Sequence, residues 1–534
     1  MRSGSKFSAG IRVLAFIATL LATGCATPDP SQRLASQGAD LLIRGGMIYP
    51  GGGEPFVGDV AITGDRIVAV GPSLGIAAER VIDATGMIVA PGFIDPHTHA
   101  QPWLTSADAR TRMVEPFLLQ GVTTAFIGND GGGPIDVRAL LDSATTNPVG
   151  VNYAVFTGFG TIRSQVIGEA RRAPTPGELA EEEGLVRTAM CEGAIGLSTG
   201  LFYAPQSFSR SEEVIALAAV AGPMGGIYDT HLRDESNYNI GLAAAVDEVI
   251  RIAREGRIAA HISHIKALGV DVQGTAPQIV AKINTARADG LAITASQYPW
   301  SASGTSLVAS LVPLWAQDGG RSAMLARFGD PAQTEKLRAG MVDNLRRRGG
   351  ADKLLIVEGD WKGQRLDAVA TALRTDPVEA AIAVIRAADP ATISFNMTEA
   401  DIATFMQEPW VMTDSDASTA HPRVYGSFAR KYALYTKQNH VLSVREFIDR
   451  SSATTADFFG LEGRGHVRVG AFADVVVFDP ETYAARATYE QPDLPATGVR
   501  SVIVNGRIAV DDGKVTAAAA GRALPHRPPA GACD

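Results

Sequence analysis

A chain of 534 residues, 46% hydrophobic and 20% charged, with 56 Gly and 29 Pro, exceeds the usual size of one hydrophobic core and has neither a disordered nor a fibrous composition. A single small domain is excluded, and one large catalytic domain with a smaller companion is expected. The formal charge of -9, spread without long blocks of one sign, gives no basic footprint for nucleic acid.

At the N-terminus Arg2 and Lys6 precede an apolar stretch from Ile11 to Leu21 that runs into Ala22-Thr23-Gly24-Cys25, the pattern of a signal peptide over residues 1–24. The apolar run is too short to span a bilayer as a helix. Small residues directly before Cys25 resemble the lipobox of bacterial lipoproteins, which implies lipidation at Cys25 and a periplasmic or outer-membrane-associated protein. Soluble periplasmic export is the alternative. Residues 25–38, with Pro28 and Pro30, suit a tether. With 3 Cys in the chain, no disulfide framework is indicated. Cys191 reads as a small buried residue, and the Pro-rich tail 521–534, which holds Cys533, reads as disordered.

Leu41 to Tyr49, Gly58 to Ile62 and Arg66 to Gly71 read as short strands with Gly and Asp turns, as do Ala473 to Asp479 and Val499 to Gly506. The two β-rich ends, 39–89 and 466–520, are expected to form one small β-sandwich with the long middle inserted between them. That middle, 90–465, alternates apolar strands such as Ala125 to Gly128, Gly193 to Leu197 and Trp410 to Thr413 with amphipathic helices such as Ile240 to Arg254. The alternation predicts parallel strands with helical crossovers, a TIM-like (β/α)8 barrel with functional residues at the C-terminal strand ends. Residues 301–396 are too long for a simple connection and read as a lid over the barrel mouth. The basic run Arg346-Arg347-Arg348 within them reads as a solvated helix end.

The sharpest local signal is Pro91-Gly92-Phe93-Ile94-Asp95-Pro96-His97-Thr98-His99. Side chains at i and i+2 of a strand share a face, so His97 and His99 can offer ring nitrogens to one divalent ion. A bare His-x-His is weak; the apolar strand before it and the loop after it strengthen the signal. Of the 9 His, His231 and His264 also end predicted strands, which core packing does not explain. His261 is read as structural, and His440, His466 and His526 as bland. Asp416 closes the strand from Trp410, where a carboxylate can hold a metal-bound water and take its proton. A helix N-cap is the alternative reading there, with Asp414 the better candidate for that cap.

The order of these motifs resembles the amidohydrolase superfamily, in particular its D-aminoacylase or N-acyl-D-amino-acid deacylase family, over nearly the whole mature chain. Leu42 to Gly46, Asp83 to Gly86 and Gly470 to Asp479 are shared widely among cyclic amidohydrolases. Gly121 to Thr124, Gly196 to Pro205, Thr230 to Glu235, Ile262 to His264, Tyr298-Pro299 and His421 to Phe428 point to the deacylases. The resemblance implies a metal site made by His231, His264 and the position of Asp130, where the family has Cys, beside His97 and His99, with Asp416 as metal ligand and catalytic residue. A carboxylate at 130 admits Mn2+ as well as Zn2+, one or two ions; a plain Asn129-Asp130-Gly131 turn is the alternative.

The same resemblance implies that Lys266, Tyr298 and Tyr203 face the substrate carboxylate and backbone, with Arg163 and Arg423 as further anion contacts. Phe159, Ile265 and Ser296 stand where relatives carry polar residues and are expected to make the pocket less polar. The implied reaction is hydrolysis of an amide bond in a small N-acyl amino acid or short peptide-like substrate, by water activated on a divalent ion with Asp416 moving the proton. Two alternatives stand beside it. One is a cyclic-amide or dipeptide hydrolase of the same superfamily; the other, of a different class, is a catalytically inactive, lipid-tethered binding protein.

Overall fold

In the computed structural model, residues 38–418 and 420–534 are described; the signal-peptide segment, Cys25 and nearly all of the tether lie outside the described residues. Among those described, eight parallel strands follow one another around a ring. They are Phe93–Asp95, Val122–Ile127, Asn152–Val155 continued by Thr157–Gly158, Gly196–Gly200, Ile227–His231, Ala259–Ile262, Ile293–Gln297 and Val411–Thr413. Neighbours in this order pair in parallel. The ring closes where Thr98 bridges Ala417 and the Asp416 N–H donates to the His97 carbonyl at 3.0 Å. The strands are buried along their length because helices cover the outside and side chains fill the inside.

The helix Leu242–Glu255 shows how the outer ring is set. Leu242, Val246, Val249, Ile250 and Ala253 are buried at helical spacing, and Gly256 ends it. The Pro91-Gly92 pair has a packing role at the barrel entrance. A Cβ on Gly92 would lie 2.3 Å from Thr123 Oγ1, so only glycine lets the first two barrel strands approach so closely.

The two chain ends meet in one nine-stranded sheet, one face of which packs a core that includes Leu41, Ile43, Val60, Ile67, Val475 and Ile503. Ala39–Ile48 is shared. Its first half pairs with Ala78–Asp83 and its second half with Ile88–Pro91, on either side of an irregularity between Ile43 and Gly46. Ile88–Pro91 in turn pairs antiparallel with Val475–Phe478 and runs through Gly92 into the first barrel strand. Residues 301–396 build a compact insertion with its own three-stranded antiparallel sheet, Ser303–Ser306, Leu354–Ile356 and Ala391–Ser394. The helices Pro331–Arg347 and Pro377–Ala387 close its separate core around Leu337, Met341 and Ile385.

The tail 521–534 corrects the expectation of disorder. Gly521 N–H donates to the Val149 carbonyl, Leu524 N–H to that of Tyr153 and His526 N–H to that of Gly193, so the tail crosses beneath the N-terminal ends of the third and fourth barrel strands. Cys533 then forms a disulfide with Cys191, their Cα atoms 5.7 Å apart. Composition suggested disorder because proline is poor at forming regular structure. The carbonyls of the barrel's lower rim supply partners that composition does not reveal. Cys191 is accordingly half of a crosslink and not a free buried thiol.

Candidate metal centre and active-site cavity

At the C-terminal ends of the barrel strands, residues far apart in sequence converge. His97 and His99 follow the first strand, Asp130 the second, His231 ends the fifth, His264 follows the sixth and Asp416 the eighth. His97 Nε2 lies 3.5 Å from Asp130 Oδ1 and 3.7 Å from Asp416 Oδ1. His99 Nε2 lies 3.5 Å from Asp130 Oδ2 and 3.4 Å from Asp416 Oδ1. His264 Nε2 is 3.7 Å from Asp130 Oδ1 and 3.0 Å from His231 Nδ1. Two of the resulting ligand groups, His97 with His99 and Asp130, and Asp130 with His231 and His264, have Asp130 in common. Asp130 Oδ1 faces both His97 and His264 and Oδ2 faces His99, so this carboxylate would contribute a ligand atom to either group. The turn reading of Asn129-Asp130-Gly131 also holds, since Gly128, Asp130 and Gly131 all have positive φ. That turn is what aims the carboxylate inward.

Asp130, His264 and Asp416 have φ of 56°, 35° and 45°, a left-handed conformation that non-glycine residues rarely adopt. Local hydrogen bonds hold them there. Gln206 Nε2 donates to the Asp130 carbonyl at 2.9 Å, and the His264 N–H donates to Ser296 Oγ at 3.2 Å. Asp95 Oδ1 accepts from the N–H groups of His97 and Ser415, tying the first strand end to the eighth.

The donor set fits a divalent cation. Both ring nitrogens of His97, Asp130 Oδ1 and His231 Nε2 are buried without a hydrogen-bond partner among the described residues, an arrangement that is costly unless an ion satisfies them. Burial holds the His231 imidazole neutral, lowered to about 4, so its lone pair is free. Burial and the Lys266 ammonium oppose a charge on His264, but the carboxylates of Asp416, Asp130 and Glu235 override them and push it up to about 10. The cluster therefore attracts positive charge. Burial also works against ionisation of Asp416, yet the Arg423 guanidinium, 2.7 Å from Oδ2, together with His264, His99 and His97 outweighs it and holds the carboxyl well below its ordinary range.

The cavity above this cluster measures about 470 Å³, in the range of small-molecule sites. Lys266, Tyr298, Tyr203 and Arg423 all line it. Burial raises both tyrosines, so they remain phenols that can donate, and the Tyr298 hydroxyl has no partner among the described residues. Lys266 Nζ donates to Glu235 Oε1 at 2.7 Å, and Arg423 is held by Asp416.

Several expectations are corrected. Arg163 does not reach the cavity; its guanidinium pairs with Glu213 and donates to the carbonyls of Pro205 and Arg172, a structural role behind the fourth strand. Phe159, Ile265 and Ser296 are buried but do not line the cavity, so they do not set its polarity directly. Asp414 caps no helix: both its carboxylate oxygens are buried without partners, and the helix Arg423–Arg430 starts after Pro422. His261 is buried, with Nδ1 2.9 Å from Thr294 Oγ1, and belongs to none of the ligand groups.

Sequence reasoning gave no role to Glu235 or His421. Glu235 lies 3.3 Å from His264 Nδ1 and 3.6 Å from His231 Nε2. It stands four residues after His231 in the quoted Thr230 to Glu235 motif, and that spacing was the available signal. His421 lines the cavity with Nε2 3.1 Å from the Ala302 carbonyl.

A barrel with this constellation at its C-terminal face defines a class of metal-assisted hydrolases, and comparison with known proteins agrees: the chain belongs to the amidohydrolase family, whose model matches residues 80–510. Among its relatives, it is similar to the D-aminoacylase of Alcaligenes xylosoxydans xylosoxydans, 32% identical over 518 residues that cover 92% of this chain and 98% of that one. Its fold is similar to the N-acyl-D-glutamate deacylase of Bordetella bronchiseptica, solved with zinc and a phosphonate mimic of the tetrahedral intermediate, at a TM-score of 0.77 and 28% identity over 92% of this chain and 100% of that one. A D-aminoacylase structure described as having a binuclear metal centre matches at a TM-score of 0.77 and 30% identity, with the same coverage of both chains.

Proposed function

We propose that the chain is an exported deacylase that hydrolyses the amide bond of N-acyl amino acids, with N-acyl-D-amino acids as the first class to test. The convergence of four histidines and two aspartates at one end of the barrel carries the reading, and the full-length similarity to D-aminoacylase supports it. His97, His99, Asp130, His231, His264 and Asp416 would hold one or two divalent ions, Zn2+ first and Mn2+ second. Such an ion supplies Lewis acidity and lowers the pKa of water. Asp416, kept ionised by Arg423, accepts the proton of the attacking water and returns it to the departing amine as the carbon–nitrogen bond breaks. Lys266, Tyr298, Tyr203 and Arg423 orient the substrate carboxylate and backbone, and the inserted lid limits water at the reacting bond. The products are a free carboxylate and a free amine.

The test pairs elemental analysis of the purified protein with assays of D- and L-series N-acyl amino acids. About one or two equivalents of metal are expected, with turnover that falls by roughly 10²–10⁴ in Asp416→Asn while the fold is retained. A metal-free protein inactive under every metal supplement would leave the tethered binding protein as the better reading.

For export and the anchor, two features give support: the signal-peptide pattern ending at Cys25, and the Cys191–Cys533 disulfide, a bond that persists in oxidising compartments. Cell fractionation with lipid labelling should place the protein in the envelope and the label on Cys25, with Cys25→Ser unlabelled. Recovery in the cytosol with Met1 retained would reject both.

A further inference from the structure

Three cations line the active-site cavity: Lys266, Arg348 and Arg423. Lys266 is neutralised by Glu235 at 2.7 Å and Arg423 by Asp416 at 2.7 Å. Arg348 differs. It is 2% exposed, its Nη1 donates to Ser394 Oγ at 3.0 Å, its Nε has no partner, and among the described residues it forms no ion pair. Of its neighbours in the basic run, Arg346 is exposed and pairs with Asp271, while Arg347 is half-buried, pairs with Asp343 and has its guanidinium carbon 5.6 Å from the Tyr238 ring centroid. Of the three arginines in the run, Arg348 alone is fully buried and lines the cavity. A buried guanidinium with no counter-charge is unfavourable unless an anion reaches it.

The position of Arg348 indicates what that anion is. Its guanidinium carbon lies 5.5 Å from the Tyr238 ring centroid, Tyr238 lies 5.9 Å from Phe202, and Phe202 lies 5.6 Å from His231. An aromatic wall thus runs from the metal centre to the arginine. The other two cations flank Tyr298, Arg423 at 4.9 Å and Lys266 at 5.5 Å from its ring centroid. Glu358 also lines the cavity, where its Oε2 accepts from the Ala391 N–H at 3.2 Å, and it makes no ion pair with Arg348.

We propose that Arg348 is a specificity-determining residue that binds a second carboxylate of the substrate, several bonds from the scissile amide. This rests on the hydrolase reading, which puts that amide at the metal centre. The ligand chemistry is a distal carboxylate, carried either on the side chain of the amino acid or at the end of a dicarboxylic acyl group. The planar guanidinium fork matches a carboxylate in two parallel hydrogen bonds, and a site built this way discriminates against the neutral isostere.

The experiment measures kcat/KM of the metal-loaded enzyme on two matched pairs. N-acetyl-D-glutamate against N-acetyl-D-norleucine tests the amine side, and N-glutaryl-D-leucine against N-pentanoyl-D-leucine tests the acyl side. The wild type is expected to prefer the charged member of one pair by about tenfold or more. Arg348→Met should abolish that preference by lowering turnover of the charged member alone, and Arg348→Lys should keep part of it. The responding pair identifies which end of the substrate carries the carboxylate. Equal losses on both members, or no preference in the wild type, would overturn the assignment. If the wild type turns over no substrate, the hydrolase reading fails separately, and calorimetry with glutarate decides the contact: tenfold weaker binding to the Met variant supports it, and equal binding refutes it.

Discussion

Glu235 touches the metal centre without being one of the expected ligands. Its carboxylate accepts from Lys266 and lies beside His264 Nδ1, so it can fix the ring that offers Nε2 to the cluster. Partners of this kind orient metal-binding histidines. Glu235→Gln is expected to lower metal retention and kcat/KM by roughly 10–100-fold, read by dialysis against a chelator and by assay after metal is restored in excess. Full recovery with excess metal would assign the loss to retention alone. A second residue-scale prediction concerns Glu182, buried with both carboxylate oxygens unpartnered. Burial, with Glu213 adding to it, raises its carboxyl to about 8. The folded state therefore binds this proton more tightly than the unfolded chain, and stability is lost as pH rises from about 4.5 to about 8. Glu182→Gln should match the wild type near pH 4 and exceed it by roughly 2 kcal/mol at pH 9 in urea unfolding.

At the level of elements, the strand ends that carry function were legible because their signal is local. An apolar run ending in His or Asp identifies a buried strand and its exposed terminus at once, as at His97, His231 and Asp416. What depends on contacts distant in sequence was not. The partner of Arg163 is 50 residues away, that of Cys191 is 342 residues away, and neither spacing leaves a periodic trace. Arg348 escapes notice for the same reason, since it ends a basic run that begins with the exposed Arg346 and only the fold of the insertion buries it. The tail offers a test at this scale. The disulfide lies across the lower rim of the barrel, opposite the metal centre, so Cys191→Ser is expected to cost roughly 2–4 kcal/mol of stability while leaving kcat unchanged. A matching loss of activity at a temperature where the variant is folded would show that the lower rim communicates with the site.

For the molecule as a whole, the barrel is an insertion in a sheet whose two halves come from opposite ends of the chain. Val89 pairs with Val477, and nothing between them can take the place of that partner. At a synthesis rate of about 5–20 residues per second, the first strands wait roughly 20–80 s for the last. During that time the apolar edge of Ile88–Pro91 is uncovered and open to wrong pairing. A polypeptide with this order of assembly gains from being kept extended until its end has been made. Under the export proposed above, passage through a membrane as an unfolded thread would impose that delay, and the route out of the cell would also serve as the timer for folding.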